Sequence, residues 1–130
     1  MGVVATWEEA GTIAAALPEV EAAQDSWQWK VKGKSFAWQR PLRKGDLAEL
    51  GDSAPQGEIL AAWVPDQGAK EALLADEHGL YFTTSHFNGY SIILVKLAEI
   101  DLPELRELLV EAWLTRAPKR LAKQFLDAEL

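Results

Sequence analysis

The sequence predicts an α+β domain in which an antiparallel sheet of about five strands carries helices packed on one face. Three observations lead there. Residues 26–41 (SWQWKVKGKSFAWQRP) alternate like a β-hairpin, residues 80–97 alternate around an Asn88-Gly89 pair, and capped amphipathic stretches lie at both ends of the chain. The predicted element order is α-β-β-β-α-β-β-α-α, within a single domain spanning residues 1–130. A chain of this length buries a real core without disulfides or metals.

Thr6 and Glu9 form a capping box, and Trp7, Ala10, Ile13, Ala14 and Leu17 repeat at helical spacing until Pro18, which sets a first helix over residues 7–17. Residues 18–25 read as a linker with room for one helical turn. In the first hairpin a two-residue turn at Lys32-Gly33 places Val31 opposite Lys34, Trp29 opposite Phe36 and Trp27 opposite Trp38. The four aromatics then share one face, and Gln28, Lys30, Ser35, Ala37 and Gln39 share the other. Residues 42–57 contain Gly45, Gly51, Pro55 and Gly57 and read as a long surface loop with one turn of helix at residues 46–50. The run EILAAWV, residues 58–64, is the third strand. Asp66 caps a short helix reaching about residue 77, with Gly79 as its stop.

A type I′ turn at Asn88-Gly89 makes the second hairpin, with Thr84 facing Ile93, Phe82 facing Val95 and Leu80 facing Leu97. Asp101 and Glu104 flank Pro103 and open a helix whose buried stripe is Leu105, Leu108, Leu109, Ala112 and Trp113. Ala117 before Pro118 breaks it. Pro118 suits the first turn of a last helix, to about residue 126. There Arg116, Lys119, Arg120 and Lys123 lie on one side, and Leu121, Ala122 and Phe125 lie opposite.

The net charge of −7 conceals a strong polarity. Between Asp25 and Asp46 there is no acidic residue but six basic ones, and residues 112–126 add four more without an acid. Those two windows hold 10 of the 13 basic residues, so the rest of the chain has 3 basic against 20 acidic residues, or −17. Phosphate binding needs local positive potential, which the windows supply and the average hides. With no cysteine, the chain has no disulfide framework, thiolate metal site or cysteine nucleophile. The N-terminus lacks a signal-peptide pattern and no stretch approaches the ~20 apolar residues of a membrane span, so the expectation is a soluble, cytoplasmic monomer away from membranes.

Catalytic chemistry finds little to work with. His78 and His86 are isolated, no HExxH pair or glycine-rich phosphate cradle is present, and the carboxylates are dispersed over helix surfaces. No enzyme activity, cofactor or metal is expected. His86 beside a turn reads either as an ordinary surface residue or as a ligand contact. The hairpin aromatics read as core or as a stacking platform for unpaired bases. Its lysines either protect a sheet edge or contact phosphate.

The motifs WQWKVKGKSFAW, FTTSHFNGYSIILVKL, DLPELRELLVEAW and RAPKRLAKQF, in this order and spacing, resemble the MmcQ/YjbR family, in its actinobacterial branch, from about Trp7 to Phe125. The resemblance implies a fold similar to CyaY/frataxin, and a DNA-binding role in which two hairpins act as a double wing. The wing positions would be Lys30, Lys32, Gly33 and Lys34 on the first hairpin, and His86, Phe87, Asn88 and Gly89 on the second. Tyr90 and the Ala112-Trp113 pair depart from the pattern of many relatives.

The expected function is therefore DNA binding through two hairpin wings and a basic C-terminal helix. Its candidate contacts are Lys30, Lys32, Lys34, Arg40, Arg43, Lys44, His86, Asn88, Arg116, Lys119, Arg120 and Lys123. The alternative is a non-enzymatic module of the same fold whose basic surface meets an acidic protein, or which holds a small ligand.

Overall fold

In the computed structural model of the protein, which describes residues 5–129, six antiparallel strands form one sheet flanked by five α-helices. The chain runs α1 (Trp7–Ala15), β1 (Val20–Ala22), β2 (Gln28–Val31), β3 (Lys34–Gln39), α2 (Lys44–Leu50), β4 (Ile59–Trp63), α3 (Gln67–Leu74), β5 (Tyr81–Phe82), β6 (Ile92–Lys96), α4 (Leu102–Arg116) and α5 (Lys119–Glu129). The sheet order is β1-β2-β3-β4-β6-β5. The α+β class holds, with six strands and an element order of α-β-β-β-α-β-α-β-β-α-α. No described helix is long and apolar enough to cross a membrane.

Period-two alternation in β4 builds the two sides of the sheet. Leu60, Ala62 and Val64 point to the layer containing α1 and α4, while Ile59, Ala61 and Trp63 point the other way. On the helical side, Leu60, Ile93, Val95, Leu105, Leu109 and Trp113 have essentially no exposure. Fully burying each aliphatic side chain is worth about 1.5–3 kcal/mol. The α4 stripe is the predicted one, all five residues buried. Its start is capped by Asp101, which accepts from Glu104 N at 2.9 Å. Trp113 Nε1 donates to Pro18 O at 3.0 Å, which ties α4 to the end of the first helical segment.

Five expectations change. Residues 20–22, expected in a linker, form the edge strand β1, with Val20 opposite Val31 and Ala22 opposite Trp29. Glu19 turns the chain into it with φ 59°, and three strand residues are too few for periodicity to announce them. The first hairpin keeps its turn and the Val31–Lys34 pair but contains a β-bulge, after which Trp29 faces Ala37 and Gln28 faces Trp38. Phe36 and Ala37 are thereby both buried on the helical side, and Trp38 passes to the opposite side. A strict register would have left Ala37 facing out and moved Trp38 in.

The second hairpin is not a tight one. Tyr81 pairs with Val95 and Phe82 with Leu94, and residues 83–91 then leave the sheet through a 3₁₀ turn at Ser85–Phe87. Asn88 (φ −58°, ψ 131°) and Gly89 (φ 83°) form a type II turn closed by Tyr90 N to Phe87 O at 3.1 Å. Phe87 plugs a second apolar cluster with Ile59, Ala61, Ile92 and Leu94. Helices therefore do not account for the sheet's cover alone, because residues 83–91 and Leu42 close part of the opposite face. In the expected 42–57 loop, α2 occupies two turns and a 3₁₀ turn follows at Gly51–Ser53. Finally, α3 ends at Leu74, short of residue 77, with Ala75 as its C-cap.

Candidate nucleic-acid interface

The hairpin tip is a turn with positive φ at both Lys32 (48°) and Gly33 (80°), which leaves Lys32 and Lys34 exposed. Lys32 Nζ meets Glu19 Oε1 at 3.0 Å, whereas Lys30 and Lys34 have no ion-pair partner among the described residues. Lys30 is half-buried on the side away from α1 and α4, opposite Ser35.

Arg116 joins the two basic windows. Pairing between β3 and β4 stops at Ala37 and Ala62, so beyond the bulge the Ser35 carbonyl lacks a β4 partner. Arg116 Nε, at the end of α4, donates to it at 3.2 Å, and the guanidinium lies 4.3 Å from the centroid of the Trp63 ring. Together with Gln28, Trp38 and Ser35 these groups bound a shallow dent of about 270 Å³. Gln28 Nε2 fixes its floor by donating to Ser35 Oγ at 3.1 Å. Three and four residues of chain keep Lys119 and Arg120, both exposed, within roughly 11–14 Å of Arg116. Lys123, further along α5, pairs with Asp127 at 3.6 Å.

The aromatics divide. Trp29 and Phe36 are core, with 2% and 0% exposure, and Trp27 stacks on Trp7 at 6.1 Å with an 11° interplanar angle. Trp38 alone of the four faces the other side, where Trp63 joins it, both half-buried. Trp63 was absent from the sequence-based candidates. The alternation of EILAAWV carried the signal, since it puts Trp63 on the side of Ile59 rather than of Leu60.

Arg40 is not a surface cation. It is 5% exposed, pairs with Asp46 at 3.0 Å, donates to Pro41 O and lies 5.2 Å from the Phe87 ring centroid. Asp46 also accepts from Arg43 N at 2.8 Å, as the third residue of α2. Burial pushes the Asp46 carboxyl up, but the Arg43 N–H and the Arg40 charge and hydrogen bond outweigh it and hold it below its ordinary 3.8. Arg43 and Lys44 are exposed at the start of α2, where cations oppose the helix dipole and only Asp46 complements it. They share that end of β3 with exposed His86, beside Glu49, which accepts from Ser85 N and Oγ. The six residues of β3 separate this group from Lys34 by roughly 17 Å.

Asn88 is exposed two residues beyond His86 and next to Phe87. Val64 N donates to Ser91 O at 2.8 Å and Trp63 pairs with Ile92, so β6 begins where β4 ends and β3 starts. The Asn88–Gly89 turn lies between Phe87, which packs with Ile59 and Arg40, and Ser91, which bonds Val64 at the end of β4. Lys70, not singled out in the sequence, sets this turn in place. Only 5% exposed, its ammonium donates to Phe87 O at 2.9 Å and Tyr90 O at 2.8 Å, with burial pushing its pKa below the usual 10.5.

Two proteins that this chain resembles are "Uncharacterized protein Mb2600" of Mycobacterium bovis and "Uncharacterized protein Rv2570" of Mycobacterium tuberculosis. Each is 48% identical over 126 residues, covering 95% of this chain and 97% of the relative. No solved structure matches the chain. The family model described as YjbR matches residues 15–115, a span from the end of α1 almost to the end of α4 that includes the whole sheet, and the chain thus belongs to the YjbR family.

Proposed function

We propose that this protein is a non-enzymatic DNA-binding domain whose contact surface is the outer side of the β2–β3 hairpin together with the start of α5. The observation that carries the reading is the Arg116–Ser35 bond, because it draws the two basic windows into one surface. Lys30, Lys34, Lys119 and Arg120 contact phosphates there, and the Lys32 ammonium adds to them when Glu19 is displaced. Arg116 is already engaged with Ser35 and Trp63 and acts mainly as the hinge of the surface. Trp38 and Trp63 offer half-exposed rings beside the cations, suited to stacking on an unpaired base or packing against a sugar. The exposed Asn88 offers a further polar contact, from a type II turn rather than a hairpin wing. Arg43, Lys44 and His86 form a separate, weaker site, because Glu49 and Asp46 lie among them.

The test is fluorescence anisotropy of labelled duplex DNA, single-stranded DNA and RNA at low and near-physiological salt. Each phosphate neutralised contributes about 0.9 to the log-log salt slope on duplex DNA. Replacing Lys30, Lys34, Lys119 and Arg120 by alanine should flatten that slope by about 3.6, whereas replacing Arg43 and Lys44 should change it by less than one. Absence of binding at low salt, or an unchanged slope in the quadruple variant, overturns the reading.

A further inference from the structure

Away from the hairpin, α3 and the N-terminal two-thirds of α4 enclose a groove of about 390 Å³. Val64, Ala69, Leu73 and Leu108 form its apolar walls, with Tyr81 at one end. The Tyr81 ring belongs to the main core and its hydroxyl donates to Glu104. Glu104, Glu107 and Glu111 line the α4 side of the opening. Their i, i+3, i+7 spacing sets them along one stripe, ~10 Å long at 1.5 Å per residue.

No cation answers these carboxylates. None of the three forms an ion pair among the described residues. Arg106, the basic residue of that part of α4, reaches Glu129 at 3.6 Å instead. Lys70, the cation of α3, is turned toward the Phe87 and Tyr90 carbonyls. The molecule thus keeps an open apolar groove beside a row of unpaired negative charge.

We propose that this groove is a second binding site, for a small organic cation with an apolar body and a primary ammonium head. The body displaces water from the walls, with a gain proportional to the apolar area covered. The ammonium settles against Glu107 and Glu111, which remain free to accept because Tyr81 engages Glu104 alone. The volume suits a small ligand, since such pockets start at about 300 Å³. A nucleic-acid backbone is repelled from this row, so the site is independent of the hairpin surface.

Three probes with one apolar body separate the contributions: octylammonium, octanol and octanoate, titrated against the ¹⁵N-labelled protein by two-dimensional NMR at pH 7. Octylammonium should shift the amides of Ala69, Ala72, Leu73 and Leu108 saturably and bind about fivefold tighter than octanol, the gain expected of one or two exposed ion pairs. Octanoate should bind more weakly than octanol. In the E107Q/E111Q variant the octylammonium advantage should vanish while octanol binding persists, and A72R, at an exposed position, should reduce that advantage. Equal affinity for octylammonium and octanol, shifts confined to other parts of the protein, or no saturable binding overturns the proposal.

Discussion

Arg40 lies in a stretch dense with exposed cations, yet it is buried against Asp46 and Phe87, where its charge organises the start of α2 rather than the surface. Removing one partner of such a pair strands the other, so Asp46→Asn should lower stability by about 3–5 kcal/mol at neutral pH, read from urea unfolding. The folded carboxyl titrates below 3.8, hence its contribution is complete above that value and is lost as pH falls through the folded pKa. The stability gap between wild type and Asp46→Asn should therefore narrow on acidification, and a constant gap would show that the ion pair is not its source. Lys70 gives the same direction in an alkaline window. Its folded pKa lies below 10.5, so the unfolded chain binds more protons in the window beneath that value and stability rises with pH there. In unfolding experiments across the alkaline range, the wild type minus Lys70→Met difference should move in favour of the wild type as pH rises. Neither role is written in composition: both residues are ordinary charged side chains until a neighbour from another element covers them.

At the scale of the element, the β2–β3 bulge decides what the hairpin presents. Alternation alone assigns four aromatics to one face; the inserted residue keeps Trp29 and Phe36 inside and turns Trp38 out. Trp29→Ala should cost about 3–5 kcal/mol, as a large core truncation does. Trp38→Ala should cost well under half of that and instead weaken binding to single-stranded DNA. Thermal unfolding of the two variants beside anisotropy measurements checks both halves, and a larger stability loss for Trp38→Ala would contradict the assigned register. Residues 83–91 teach a related lesson. Asn88-Gly89 marks a turn correctly, but the turn type depends on what lies at its ends. Lys70 draws the Phe87 and Tyr90 carbonyls toward α3 and Phe87 into the outer cluster, leaving no room for strand pairing. By contrast, α4 was readable in full, because its cap, its apolar stripe and its Ala117–Pro118 end all lie within the helix itself.

For the whole molecule, charge segregation becomes geometry when Arg116 bridges α4 to β3. One side then carries the cations proposed to meet phosphate, and the α3–α4 groove carries the unpaired carboxylates. The two surfaces predict opposite salt and charge responses in one protein: the quadruple lysine/arginine variant should lose DNA affinity without altering octylammonium binding, and E107Q/E111Q should do the reverse. Sequence by itself determined the α+β class, the helix caps and core stripes, the Lys32–Gly33 turn and the polarity of charge, because each rests on interactions within a few residues or on composition. Only the tertiary structure decided which cations are free, which tryptophans are exposed, how β3 and β6 register against their neighbours, and that a groove lies between α3 and α4. Those outcomes depend on residues as far apart as Ser35 and Arg116, or Lys70 and Phe87, whose meeting is fixed by the packing of layers and leaves no local pattern to read.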